Sequence, residues 1–82
     1  MRDEIYQRIS KERYEQDKQW GGPKHDNEHS ILDWVAYIDT QLKKLLHCPY
    51  EEESRLIKVA ALAVAALEVM EREKIRESLT NG

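Results

Sequence analysis

Apolar residues recur at helical spacing in three stretches of this chain. In the first, Ile5 and Ile9 begin a face that continues through Glu12, Gln16 and then Gln19 or Trp20. The spacing predicts a helix over about 3–19, with Asp3 as its N-cap. Its face begins apolar and turns polar, which has two readings. Either the second half leaves the core, or Glu12 and Gln16 line a polar cavity. Gly21-Gly22-Pro23 ends the helix. The second helix is predicted over 31–46. Ser30 with Asp33 three residues on resembles a capping box, and Ile31, Trp34, Val35, Ile38, Leu42, Leu45 and Leu46 make one apolar stripe. Tyr37, Gln41 and Lys44 fall on another face. His47-Cys48-Pro49 breaks the helix.

The third helix is predicted over 50–78. Pro49 stands at or near its first position, and Glu51, Glu52 and Glu53 suit the positive end of its dipole. From Val59 to Leu67 it is apolar on every side, so it should be buried on every side. Two partner helices cannot wrap it completely, and the remainder is expected to meet another subunit. Ala61 and Ala65 are taken as positions in that contact. The fold expected is all-α: a compact three-helix domain over 1–82 with a long Ala-rich C-terminal helix, assembled as a homo-oligomer. At 82 residues, a chain this small gains from such assembly.

Charge and composition narrow the function. A formal net charge of −3 argues against generic DNA or RNA binding. The single Cys48 excludes an internal disulfide and suits a reducing cytoplasm. With Arg2, Asp3 and Glu4 coming at once, no N-terminal apolar stretch reads as a signal peptide, and the apolar run of the third helix is too short to span a bilayer. A cytoplasmic protein without a membrane partner is expected.

The densest chemistry lies in the loop 20–30, where His25, Asp26, Glu28 and His29 gather around Gly and Pro. These residues are potential metal ligands, but the histidines flank a turn, and hydrogen bonding within the loop is the alternative. A Cys48–His47 nucleophile pair has no orienting carboxylate in reach. Phosphate binding has better support. Arg55 and Lys58 share a face at the start of the third helix, where the helix terminus already favours anions. The alternative pairs them with Glu51, Glu52 or Asp39 in solvated ion pairs. Trp20, Tyr14 and Tyr37 are candidates for stacking on a base.

Glu12-Arg13-Tyr14-Glu15-Gln16, Trp20-Gly21, His25-Asp26-Asn27-Glu28-His29 and Arg55-Leu56-Ile57-Lys58-Val59-Ala60-Ala61-Leu62 together resemble small helical proteins of bacteriophages and prophages. Those carry E-R-x-x-Q, W and H-D-x-x-H, and R-x-L-V-K-x-x-A-L motifs, and the likeness covers most of the chain. The layout is also similar to MazG-like nucleotide pyrophosphohydrolases, all-α oligomers that use magnesium. Where that family has E-E-x-x-E, this chain has Thr40-Gln41-Leu42-Lys43-Lys44; where it has E-x-x-D, this chain has Arg55-Leu56-Ile57-Lys58. The resemblance therefore implies that magnesium catalysis is lost and that Lys43, Lys44, Arg55 and Lys58 neutralise phosphates instead.

The function expected from these readings is a phage-type sponge in the bacterial cytoplasm. It would sequester a nucleotide second messenger of the cyclic oligonucleotide or cyclic ADP-ribose type without cleaving it. Glu12, Gln16, Trp20, His25, Asp26, His29, Tyr37, Lys44, Arg55 and Lys58 are the candidate ligand-binding residues. No cofactor, metal or catalytic residue is assigned. A metal-dependent nucleotide hydrolase and a protein inhibitor of a host enzyme are the competing readings.

Overall fold

The computed structural model describes residues 1–22 and 28–81. Helix α1 spans Arg2–Trp20, α2 Ile31–His47 and α3 Glu52–Asn81, with a 3-10 turn at Pro49–Glu51 leading into α3. Among the described residues there is no strand.

The helix ends follow local chemistry. Gly21, in the left-handed region at φ 98°, stops α1 and donates its N–H to the Asp17 carbonyl at 2.9 Å. At the other end, Met1 is the N-cap and Asp3 sits inside the first turn, so Asp3 is not the cap expected of it. The Ser30–Asp33 capping box is complete: each side chain accepts from the other residue's backbone N–H. The Ser30 N–H, followed by the His29 ring, holds the Asp33 carboxyl below its ordinary range. A depressed carboxyl contributes stability above its unfolded pKa and loses it as pH falls through the folded value. Asp33→Asn should therefore destabilise the protein at neutral pH. Its deficit relative to wild type should begin to shrink only as pH falls below the ordinary carboxylate value of about 3.9, vanishing below the lowered folded value. Denaturant melts followed from pH 7 down to about pH 2 check this; a deficit that does not shrink over the acid end of that range would assign it to packing.

Helix α3 packs against both other helices, while α1 and α2 share little contact. The core is small. Trp34 of α2 meets Leu62, Ala65, Ala66 and Val69 of α3, with Ile38 at the edge. Ala61 and Ala65 are both 0% exposed within the single chain. They belong to its own interior, not to the surface left for another subunit. Helix α1 docks differently. Its buried residues are Arg13 and Gln16, and ion pairs Arg8–Glu53, Glu12–Lys58 and Arg13–Glu68 tie it to α3.

The domain is elongated, contrary to the compact shape expected. Its radius of gyration is 14.3 Å, against about 12 Å for a compact chain of this length. The 30 residues of α3 set the long dimension of 50 Å. Accessible surface is 6443 Å², against roughly 5,100 Å² for a compact monomer of this mass. Part of the excess is apolar. Only Trp34, Ile38 and Leu45 of the expected α2 stripe are covered or half-covered; Ile31, Val35, Leu42 and Leu46 are exposed.

Candidate functional site

Three polar helix faces converge where the helices meet. The last two turns of α1 supply Glu12, Gln16, Gln19 and Trp20. Helix α2 supplies Tyr37, Thr40, Gln41 and Lys44, and the start of α3 supplies Arg55, Lys58 and Leu62. They enclose a cleft of two hollows, each about 230 Å³, that share Trp20, Gln41 and Leu62. Tyr37 and Thr40 complete the more apolar hollow. Glu12, Gln16, Gln19, Lys44, Arg55 and Lys58 complete the polar one. Together the hollows reach the lower part of the roughly 300–1,000 Å³ range of small-molecule sites.

Hydrogen bonds fix much of the polar lining. Lys58 donates from Nζ to Glu12 Oε1 at 2.9 Å, linking α3 to α1. Arg55 donates from Nη1 to Gln41 Oε1 at 3.0 Å, linking α3 to α2, and its Nε and Nη2 both reach Glu51 Oε2, at 3.0 and 2.6 Å. Buried Gln16 accepts at Oε1 from Arg13 Nη1 at 3.1 Å. Arg13 also holds Asp17 at 2.9 Å and Glu68 at 3.0 Å, so it braces the cleft wall from behind. Lys44 has no ion-pair partner among the described residues. Among the described residues, three cations and one carboxylate line the polar hollow, and with Glu51 on Arg55 they leave one positive charge in excess.

His29 lies outside both linings. Its ring stands edge-on to Tyr37 and Trp34, with centroids 5.5 and 5.9 Å away, and Nδ1 is 3.4 Å from Asp33 Oδ2. It braces Tyr37, a wall of the apolar hollow, and does not open into that hollow itself. His25 and Asp26 lie outside the described residues.

The structure therefore brings Glu12, Gln16, Trp20, Tyr37, Lys44, Arg55 and Lys58 around one cleft. It favours the cavity reading of α1's polar face, since Gln16 is buried and Glu12 half-buried. Sequence reasoning left Gln19, Thr40, Gln41 and Leu62 out of the site, although the first and third share helix faces with residues it chose. It also missed Arg13, whose spacing to Gln16 and Asp17 was the available signal. Among the described residues no group of three or more His, Cys, Asp and Glu side chains is placed to hold a metal ion. No helix there is long and apolar enough to cross a membrane. No protein-family model, curated protein or solved structure matches the chain.

Proposed function

We propose that this chain binds a phosphate-bearing nucleotide derivative in the three-helix cleft and sequesters it without cleavage. One observation carries the reading: a cationic hollow lined by Lys44, Arg55 and Lys58 adjoins an apolar one walled by Trp20 and Tyr37. A nucleotide has the same two halves. Its phosphates suit the planar Arg55 fork and the Lys58 and Lys44 point charges. Its base suits an aromatic wall, and the Gln41 amide, shared by both hollows, offers a donor between the halves. Sequestration fits the lining better than metal-assisted hydrolysis does. Magnesium takes several oxygen ligands, whereas among the described residues the polar hollow is lined by one carboxylate, Glu12, and Lys58 already engages it. The phage-protein likeness adds the context: a sponge for cyclic oligonucleotide or cyclic ADP-ribose messengers in a bacterial host cytoplasm.

The test is native mass spectrometry and Trp fluorescence of the protein with ADP-ribose, cyclic di-AMP and ATP, each with and without magnesium. Retention of one of these ligands, recovered intact, is the expected result. Multiple-turnover cleavage would establish the hydrolase. A folded protein that binds none of them would favour the protein-inhibitor reading.

In the free protein Glu51 and Glu12 engage Arg55 and Lys58, so phosphate binding is an exchange of anionic partners. Lys58→Ala and Arg55→Ala should each weaken binding of the retained nucleotide by about 1.5–3 kcal/mol. Glu12→Gln should strengthen it, because a competing anion is removed. Isothermal calorimetry reads all three, and weakened binding by Glu12→Gln would place the phosphates elsewhere. Lys58→Ala should also lower stability, by leaving half-buried Glu12 unpaired.

A further inference from the structure

The side of α3 turned away from Ala61 and Ala65 carries a self-complementary stripe. Glu52, Leu56 and Val59 stand eleven, seven and four positions before Ala63; Lys74, Met70 and Leu67 stand eleven, seven and four positions after it. At 100° per residue all seven fall within about 80° of the helix circumference. Leu67 is 63% exposed and Leu56 53%, while Ala63 and Val59 are half-buried. Glu52 and Lys74 have no ion-pair partner among the described residues. The exposed Val35, Leu42 and Leu46 of α2 centre about 150° around that helix from the centre of its cleft residues Tyr37, Gln41 and Lys44. They therefore border the α3 stripe on the face opposite α1.

We infer that two copies of this chain pair through this face, their α3 helices antiparallel about a two-fold axis at Ala63. A two-fold interface sets each patch against itself in reverse. Antiparallel pairing then places Leu56 on Met70 of the partner subunit, Val59 on Leu67 of the partner subunit, and Glu52 on Lys74 of the partner subunit. The small Ala63 at the axis lets the helices approach to the usual 8–10 Å. An unrelated partner has no reason to match a stripe whose charges are opposite at its two ends and whose centre is its smallest residue.

The full chain at about 50 μM, a concentration that shows micromolar dimers, should have twice the 9.7 kDa chain mass by light scattering. In a Cys48→Ser background, Ala63→Cys should form an intermolecular disulfide on mild oxidation, because only residues at the axis bring their Cα atoms within reach. Glu71→Cys, exposed and off the stripe, should not. Glu52→Lys and Lys74→Glu should each raise the dissociation constant about three- to tenfold, and the double variant should return it to within about twofold. Leu67→Glu should give monomers. If Leu67→Glu fails to fold, the disulfide and charge-swap arms still decide. A wild-type monomer at this concentration, a cross-link at position 71 but not 63, or a double variant weaker than both singles would overturn the pairing.

Discussion

Ala65→Glu should abolish folding of the isolated chain, not merely its association. Ala65 is 0% exposed and sits among Trp34, Leu62, Ala66 and Val69. A carboxylate there has no partner and no water. Its effective desolvation penalty is several kcal/mol, and its added volume overpacks the layer between α2 and α3 by about 1–3 kcal/mol more. A domain of this length has a total stability of about 4–12 kcal/mol, and its small core puts it at the lower end. Far-UV circular dichroism at 25 °C should show a largely unfolded chain. A cooperative melt near the wild-type temperature would mean that α3 rotates to present Ala65 to solvent, and the packing described above would be wrong.

Arg13→Ala has the second largest expected effect. Arg13 is only 8% exposed and spends its guanidinium on Gln16, Asp17 and Glu68. Truncation removes the tie between α1 and α3 and deprives buried Gln16 of a donor. A fully buried pair broken this way loses about 3–5 kcal/mol. Asp17 and Glu68 are 40% and 45% exposed, so solvent screening reduces the figure to about 2–3 kcal/mol. Urea titration should show the midpoint falling accordingly. Arg13→Lys should recover less than half of the loss, since one ammonium cannot satisfy three acceptors arranged around a planar fork. A change below about 0.5 kcal/mol, the range of ordinary surface substitutions, would mean that these bonds only exchange with water.

The helices were legible because their punctuation is local. Ser30 and Asp33 carry their own cap, and Gly21 supplies the left-handed residue that stops α1. The cleft was legible where polar residues break an apolar pattern at helical spacing: Glu12 with Gln16, Tyr37 with Lys44, Arg55 with Lys58. What the sequence could not give was direction. A segment apolar on all sides has no phase, so nothing in Val59 to Leu67 says which alanines face α2 and which face outward. That is why Ala61 and Ala65 were assigned to an interface between chains. Pairing was hidden for a related reason. Arg55 engages Glu51, a partner considered from sequence, and also Gln41, which was not; Lys58 engages Glu12, 46 positions away on another helix. Local spacing cannot report such contacts. Ser30 and Asp33 also fix the start of α2, and through it the register of His29 beneath Tyr37, which the loop's composition alone suggested was a ligand contact.

The polar seam under α1 divides the molecule into parts of unequal cooperativity. The α2–α3 layer is held by apolar burial, whereas α1 is held mainly by ion pairs and amides with exposed Ile5, Tyr6 and Tyr14 beside them. Such a segment opens as a subglobal unit before the rest unfolds, and ionic strength weakens it selectively. Because α1 carries Glu12, Gln16 and Trp20, its release dismantles one wall of the cleft while leaving Arg55 and Lys58 in place. Amide hydrogen exchange in α1 therefore becomes the gauge of how often the cleft stands open. If the proposed nucleotide occupies the cleft, its release should then speed up in step with that exchange as salt is raised.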